Sequence, residues 1–206
     1  MTRILEELGM NSYSYTGDWG SSPNRAFIGR RKISDKVIAF PLVPYNRYPT
    51  LGEYYETGLT GYDAVEVNRW LRTLVDYVGD HKVVRTFQLP EHEIYYFPDC
   101  LSGFVNYLVN EQDRHKRLVV RPMSEYADFF LRFLQTEYVF SKENQNLTVS
   151  FQNPQSLNGI VLALPKPKYR KPEDDSLKIT EDERYYYVQT VELDEKTKNI
   201  VIGIIN

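Results

Sequence analysis

The chain holds a single cysteine, Cys100, so no internal disulfide staples it and its stability must come from a packed core. It has no excess of positive charge: 25 Lys and Arg stand against 28 Asp and Glu, for a net charge of -3. Without a basic stripe, nucleic acid is excluded as the main partner. No apolar run approaches the roughly 18 residues that a membrane span requires, so no membrane partner is expected. The opening MTRILEELGM carries acidic residues where a secretory leader would hold an apolar stretch. As the chain stands, that predicts a cytoplasmic location. There is no G-x-S-x-G elbow, no G-x-G-x-x-G and no phosphate-binding loop, which removes the usual serine nucleophile and nucleotide cradles. The three histidines, His81, His92 and His115, form neither H-x-x-x-H nor H-E-x-x-H, and no metal site is assigned to this chain. Cys100 falls near the start of an apolar-striped helix, where a buried small hydrophobe is the expected role rather than a reactive thiolate.

Aromatic residues are plentiful by contrast. Seventeen tyrosines and two tryptophans help bring the aromatic share to 14%. Tyrosine pairs a flat apolar face with a hydroxyl, which suits sheet faces, interfaces and sugar-binding grooves alike.

The residues 1–135 alternate between strand-like and helical patterns. TRILEEL reads as a helix stopped at Gly9, and SYSYT reads as a strand leading into a long loop from Gly17 to Asn24. KVIAFPL (36–42) is a buried-strand candidate. Val67, Trp70, Leu71, Leu74, Val75 and Val78 recur at helical spacing behind Asp63, which is placed as an N-cap. The strand KVVRTFQL (82–89) precedes a helix from Pro98, and the strand RLVV (117–120) precedes one from Ser124. The second of these helices turns Tyr126, Phe129, Phe130 and Phe133 inward. Such alternation predicts βα units with parallel strands. After Gln135 the period changes: TEYVF, NLTVSF, GIVLALP, YYYVQTVEL and NIVIGIIN are strand-like, and residues 136–206 read as an antiparallel β module. Four βα units make half a barrel or an open sheet. Half a barrel would leave raw sheet edges through which copies of the chain could associate.

Two loops are placed to carry chemistry. SYTGDWGSSPNR (14–25) and LPEHE (89–93) each follow a strand, and so lie at the carboxyl end of the predicted sheet, where α/β folds put their sites. His81 and His115 precede strands and belong at the other end. Two readings stand for the pair of loops. Asp18 orients the imidazole of His92 and readies it as a general acid, or Asp18 caps a turn and His92 is solvated.

The segments LEELGMNSYSYTGDWGSSPNR, VIAFPLVP, VVRTFQLPEHE and RPMSEYADF, in that order, resemble the back half of bacterial polysaccharide deacetylases over roughly residues 3–133. The resemblance implies a partial (β/α) barrel of parallel strands and helices, followed by an accessory β-sandwich-like module. It implies a carbohydrate or polysaccharide partner and hydrolysis of acetyl groups from N-acetylated sugars. Asp18-Trp19 matches the family's Asp-Trp pair, with Trp19 lining an acetyl pocket. His92 matches the late Leu-x-His general acid, although the spacing here is Leu-x-x-His. If the chain is instead a stand-alone carbohydrate binder, the aromatics Trp19, Tyr45, Tyr48, Tyr95 and Tyr96 would be exposed and line the groove. The complete family enzyme holds a divalent metal such as zinc through T-F-D-D and H-x-x-x-H motifs, and neither motif occurs in these 206 residues. No cofactor is therefore expected in this chain, and alone it is expected not to turn over.

Three functions remain in play: the C-terminal portion of a deacetylase, a stand-alone carbohydrate-binding or scaffold protein with its aromatics exposed, and an unrelated small α/β protein built for assembly.

Overall fold

The computed structural model describes residues 2–57, 63–88, 98–114, 118–192 and 194–205. It is a mixed α/β structure that divides into two compact units, residues 1–127 and 128–206. The expected boundary lay after residue 135; the division here falls inside a helix.

In the first unit, helix α1 (Thr2–Glu7) is followed by Gly9 at φ 71°, a left-handed conformation that costs glycine little. Strand β1 (Ser12–Thr16) comes next, then three two-residue strands, β2 (Asn24–Arg25), β3 (Phe27–Ile28) and β4 (Arg31–Lys32). Strand β5 (Ile38–Leu42) is buried at every position. β1 and β5 pair in parallel, Ser12 beside Ile38 and Thr16 beside Leu42, and β2 pairs antiparallel on the far side of β5. β3 and β4 form a separate small ribbon.

β5 tolerates Pro41 for a reason that the hydrogen bonds reveal. Ile38 N–H donates toward β1, to Asn11 O, whereas Val43 N–H donates to Thr86 O on the opposite side. Alternation then puts the nitrogen of Pro41 on that opposite side, between the end of β2 and Thr86, where no strand runs continuously beside β5.

The helices follow their sequence signals. α2 (Leu51–Glu56) starts at Thr50, whose hydroxyl accepts from Glu53 N–H at 3.1 Å. α3 (Ala64–His81) starts at the predicted N-cap, Asp63, whose Oδ1 accepts from Val65 and Glu66 N–H at 2.9 and 3.1 Å. It buries Val67, Leu71, Leu74 and Val75, which are four of the stripe residues expected from periodicity. α4 (Pro98–Arg114) packs on α3, burying Cys100 and Phe104 beside Leu71 and Val75. α5 (Met123–Leu134) contains the division between the units.

Two expected strands are corrected. The described part of 82–89 makes a single parallel bridge, Thr86 to Leu42, and Leu118–Val120 forms no strand, with Val119 and Val120 exposed. Both segments have β-branched composition, but a strand exists only where a neighbour accepts its ladder, and only Thr86 meets one. No closed barrel occurs among the described residues. Phe133, expected to face inward on α5, is about half exposed. No described helix is long and apolar enough to cross a membrane.

The second unit is antiparallel throughout its named strands, as expected from sequence. β6 (Glu137–Glu143), β7 (Asn146–Gln152) and β11 (Thr197–Gly203) form one sheet, in the order β11-β7-β6. β8 (Leu162–Pro165), β9 (Leu177–Glu181) and β10 (Tyr185–Thr190) form another, in the order β8-β10-β9. Val149, Ile200 and Ile202 of the first sheet share one buried cluster with Leu164, Leu177 and Val188 of the second.

Asn153, 1% exposed, holds this unit's entry together. Its amide donates to Arg132 O at 2.8 Å and Thr136 Oγ1 at 2.9 Å, and its carbonyl accepts from Gln155 and Ser156 N–H at 2.9 and 3.0 Å. Replacing it with alanine removes the partner of part-buried backbone groups on both sides and leaves a small cavity in a buried position. Asn153→Ala is expected to destabilise the chain by about 2–4 kcal/mol in a urea titration, whereas the exposed Asn158→Ala should change it little.

Candidate functional site

The loop after β1 is pinned at its first residue. Gly17 N–H donates to Leu42 O at 2.9 Å, which extends the β1–β5 ladder by one bond. A Cβ added at Gly17 would lie 2.4 Å from Pro41 Cβ and 3.1 Å from Pro41 Cα. Only glycine lets the loop pass this close to β5.

Asp18 then caps the turn. Its Oδ1 accepts from Gly20 N–H at 2.8 Å, Ser21 N–H at 2.7 Å and Ser21 Oγ at 2.9 Å. The Ser21 hydroxyl and the two backbone donors hold the Asp18 carboxyl below the ordinary aspartate range, with Arg85 adding a smaller pull in the same direction. Of the two sequence readings, the turn-capping role of Asp18 is the one seen. His92, its expected partner, lies outside the described residues, as do Tyr95 and Tyr96.

Trp19 projects from the same turn and is partly buried. Its ring meets Tyr77 of α3 edge-on, with centroids 5.3 Å apart at 67°. The Arg85 guanidinium carbon stands 5.0 Å from the Tyr77 centroid, and its Nη2 donates to the Trp19 carbonyl. Arg85 Nη1 donates to Val84 O at 2.7 Å, and the buried Nε has no hydrogen-bond partner among the described residues. His81, the last residue of α3, lies against the other participant, its ring 4.2 Å from that of Tyr77. His81 thus touches the Tyr77 ring that Trp19 meets.

Tyr45 is also corrected. It was expected on an exposed sugar-binding surface, and it is 6% exposed. Its ring sits 4.8 Å from Tyr54 and 5.5 Å from Trp70 inside the α2–α3 core, where burial pushes its hydroxyl up to about 12.

Arg85, Tyr77 and His81 were missed as members of this cluster. Arg85 carried a signal: it is a lone charge inside the apolar run VVRTFQL, and such a charge needs a destination. Tyr77 carried none, since a tyrosine on a helix flank is unremarkable. Among the described residues, no three or more His, Cys, Asp or Glu side chains converge as metal ligands. The Asp18 turn does not fit a divalent cation: Oδ1 already accepts three hydrogen bonds, and a guanidinium acts on it. A second concavity, an open groove of about 440 Å³ between α3 and α4, is lined by Asn68, Arg69, Arg72 and Asp99. At its edge Cys100 Sγ, 2% exposed as a residue, donates to Ala64 O at 3.1 Å.

Comparison with protein-family models, curated proteins and solved structures finds no match to this chain.

Two predictions follow from the loop. Gly17→Ala should destabilise the chain by about 1–3 kcal/mol in chemical denaturation, because Pro41 sits on the buried strand and has nowhere to move. In an NMR titration of the Asp18 carboxyl, Ser21→Ala should raise its pKa more than Arg85→Met does. The sign follows from depression of the folded-state pKa. The turn's contribution to stability is present above the ordinary aspartate pKa and is lost as pH falls through the depressed value.

Proposed function

We propose that this chain is a carbohydrate-contacting, catalytically incomplete portion of a polysaccharide deacetylase-like protein. In this reading, residues 1–127 hold the back part of a (β/α) barrel, and residues 128–206 form a sandwich-like accessory module. The observation that carries the proposal is register. The segments SYSYT, IAFPL and VRTF, which carry the resemblance, meet side by side in parallel, with Thr16 beside Leu42 and Leu42 beside Thr86. Parallel neighbours of this kind are what a (β/α) barrel uses, and Thr16 and Thr86, the one two residues before Asp18 and the other shortly before the LPEHE segment in sequence, flank Leu42 on its two sides. The shared cluster of the two antiparallel sheets supports the sandwich-like module.

The division of labour follows from the side chains. Trp19 offers an aromatic edge and face to an acetyl group or a sugar ring, with Tyr77 and Arg85 holding it in place. Asp18, ionised and fixed in its turn, keeps the loop in shape. In the family a metal activates water and a carboxylate takes its proton. The motifs that supply both are missing from these 206 residues, so His92, the residue that matches the family's general acid, would lack the groups it works with.

Titration with chitin oligomers, followed by tryptophan emission, tests the proposal. An N-acetyl-dependent change is expected in the wild type, weaker with the deacetylated oligomer and absent in Trp19→Phe. Trp70, packed against Tyr45 and Phe87, supplies an unresponsive background. No change at millimolar oligomer, or a change that survives Trp19→Phe, overturns the proposal. Release of acetate by the chain alone would contradict its incompleteness.

A further inference from the structure

The second unit has one unguarded sheet edge. β6 lies at the end of its sheet, and all seven of its residues are exposed. Tyr138, Val139 and Phe140 are 62, 66 and 55% exposed, an apolar run at the centre of the strand. The other edges are covered, charged or short. Arg170 N–H donates to Gly203 O at the end of β11, which also carries Lys198, β9 carries Lys178 and Glu181, and β8 is four residues long and ends in Pro165. The centre of β6 has no proline and no charge; Glu137, Lys142 and Glu143 stand only at its ends.

The pairing with β7 fixes which groups of β6 point outward. Glu143 and Asn146 close a two-residue loop in which Asn144 takes φ 54°, and such a loop closes on a hydrogen-bonded pair. Glu143, Ser141, Val139 and Glu137 therefore bond to β7, which leaves the N–H and C=O of Tyr138, Phe140 and Lys142 facing the open edge. Phe140 stands opposite the buried Val149, so Tyr138 and Phe140 share the core-facing side of the sheet, their rings 5.3 Å apart and yet uncovered.

We infer that β6 is a dimerisation strand that pairs antiparallel with β6 of a second copy of this chain, the two-fold axis passing through Val139. The sequence of the strand selects this register. Outward groups must meet outward groups, which restricts the choice. An axis through Phe140 would set Glu137 against Glu143 twice, and like charges directly opposite are destabilising. An axis through Ser141 would set Phe140 against Lys142, and one through Tyr138 would set Phe140 against Thr136. The axis through Val139 sets Tyr138 against Phe140 twice on one face, and Val139 against Val139 and Glu137 against Ser141 on the other. No like charges are then directly opposite. The result is a continuous six-stranded antiparallel sheet whose aromatic pairs cover each other's exposed faces.

Light scattering on the full chain should give the mass of a dimer. Val139→Lys and Val139→Glu, each placing like charges at the axis, should both give folded monomers with the far-ultraviolet circular dichroism of the wild type and a thermal transition that no longer depends on protein concentration. An equimolar mixture of the two should recover the dimer. Under mild oxidation Val139→Cys should form a covalent dimer, because non-hydrogen-bonded antiparallel pairs bring Cα atoms to about 4.5 Å. Ser141→Cys should not, its two copies lying roughly 13 Å apart along the strands. A wild-type monomer at every soluble concentration would overturn the inference. So would a dimer that both charged variants leave intact, or a mixture that stays monomeric.

Discussion

The parallel contact between β1 and β5 is the constraint on which the first unit depends. A strand buried at all five positions must be covered on both faces and have neighbours along its length. β1 supplies one neighbour continuously, while β2 and Thr86 share the other side and leave Pro41 the gap that its missing donor requires. The same ladder runs on into Gly17 and so sets the height at which the following turn leaves the sheet. Asp18 and Trp19 are thus positioned by backbone pairing as well as by their own contacts.

Much of this was legible from residue pattern alone. The stripe Val67–Leu71–Leu74–Val75 behind Asp63 specified α3 and its cap, because an 18-residue helix with a polar side-chain cap leaves a long periodic trace. SYSYT was legible from its period of two, and IAFPL from an apolar run that ends at prolines, which suits a strand buried on both faces. The failures share a cause as well. Residues 82–88 and 118–120 have the composition of strands, but composition does not report whether a neighbour is present. α2 has six residues and a glycine inside it, too short for its period to stand out. β9, LKITE, has only three residues of strand character between charges.

The site was legible in part for a different reason. Sequence order placed the Asp18 turn after a strand, and that much is seen. It gave no account of what the turn would touch, because loop length does not encode direction. Tyr77 and Arg85 meet Trp19 where the chain at Gly17 passes close to Pro41 of β5. Tyr45 illustrates the converse: a tyrosine beside prolines looks like a surface group, yet its ring is enclosed by Tyr54 and Trp70. Aromatic abundance in this chain is thus divided between core, as at Tyr45, and exposed strand, as at Tyr138.

The buried Cys100 has a practical side. It is the chain's sole sulfhydryl, and its hydrogen bond to Ala64 O ties the beginning of α4 to the first turn of α3. A modifying reagent reaches it only when that junction parts, so the rate of thiol modification becomes a clock for the opening of one helix pair. Because no second thiol competes, the clock needs no engineered label.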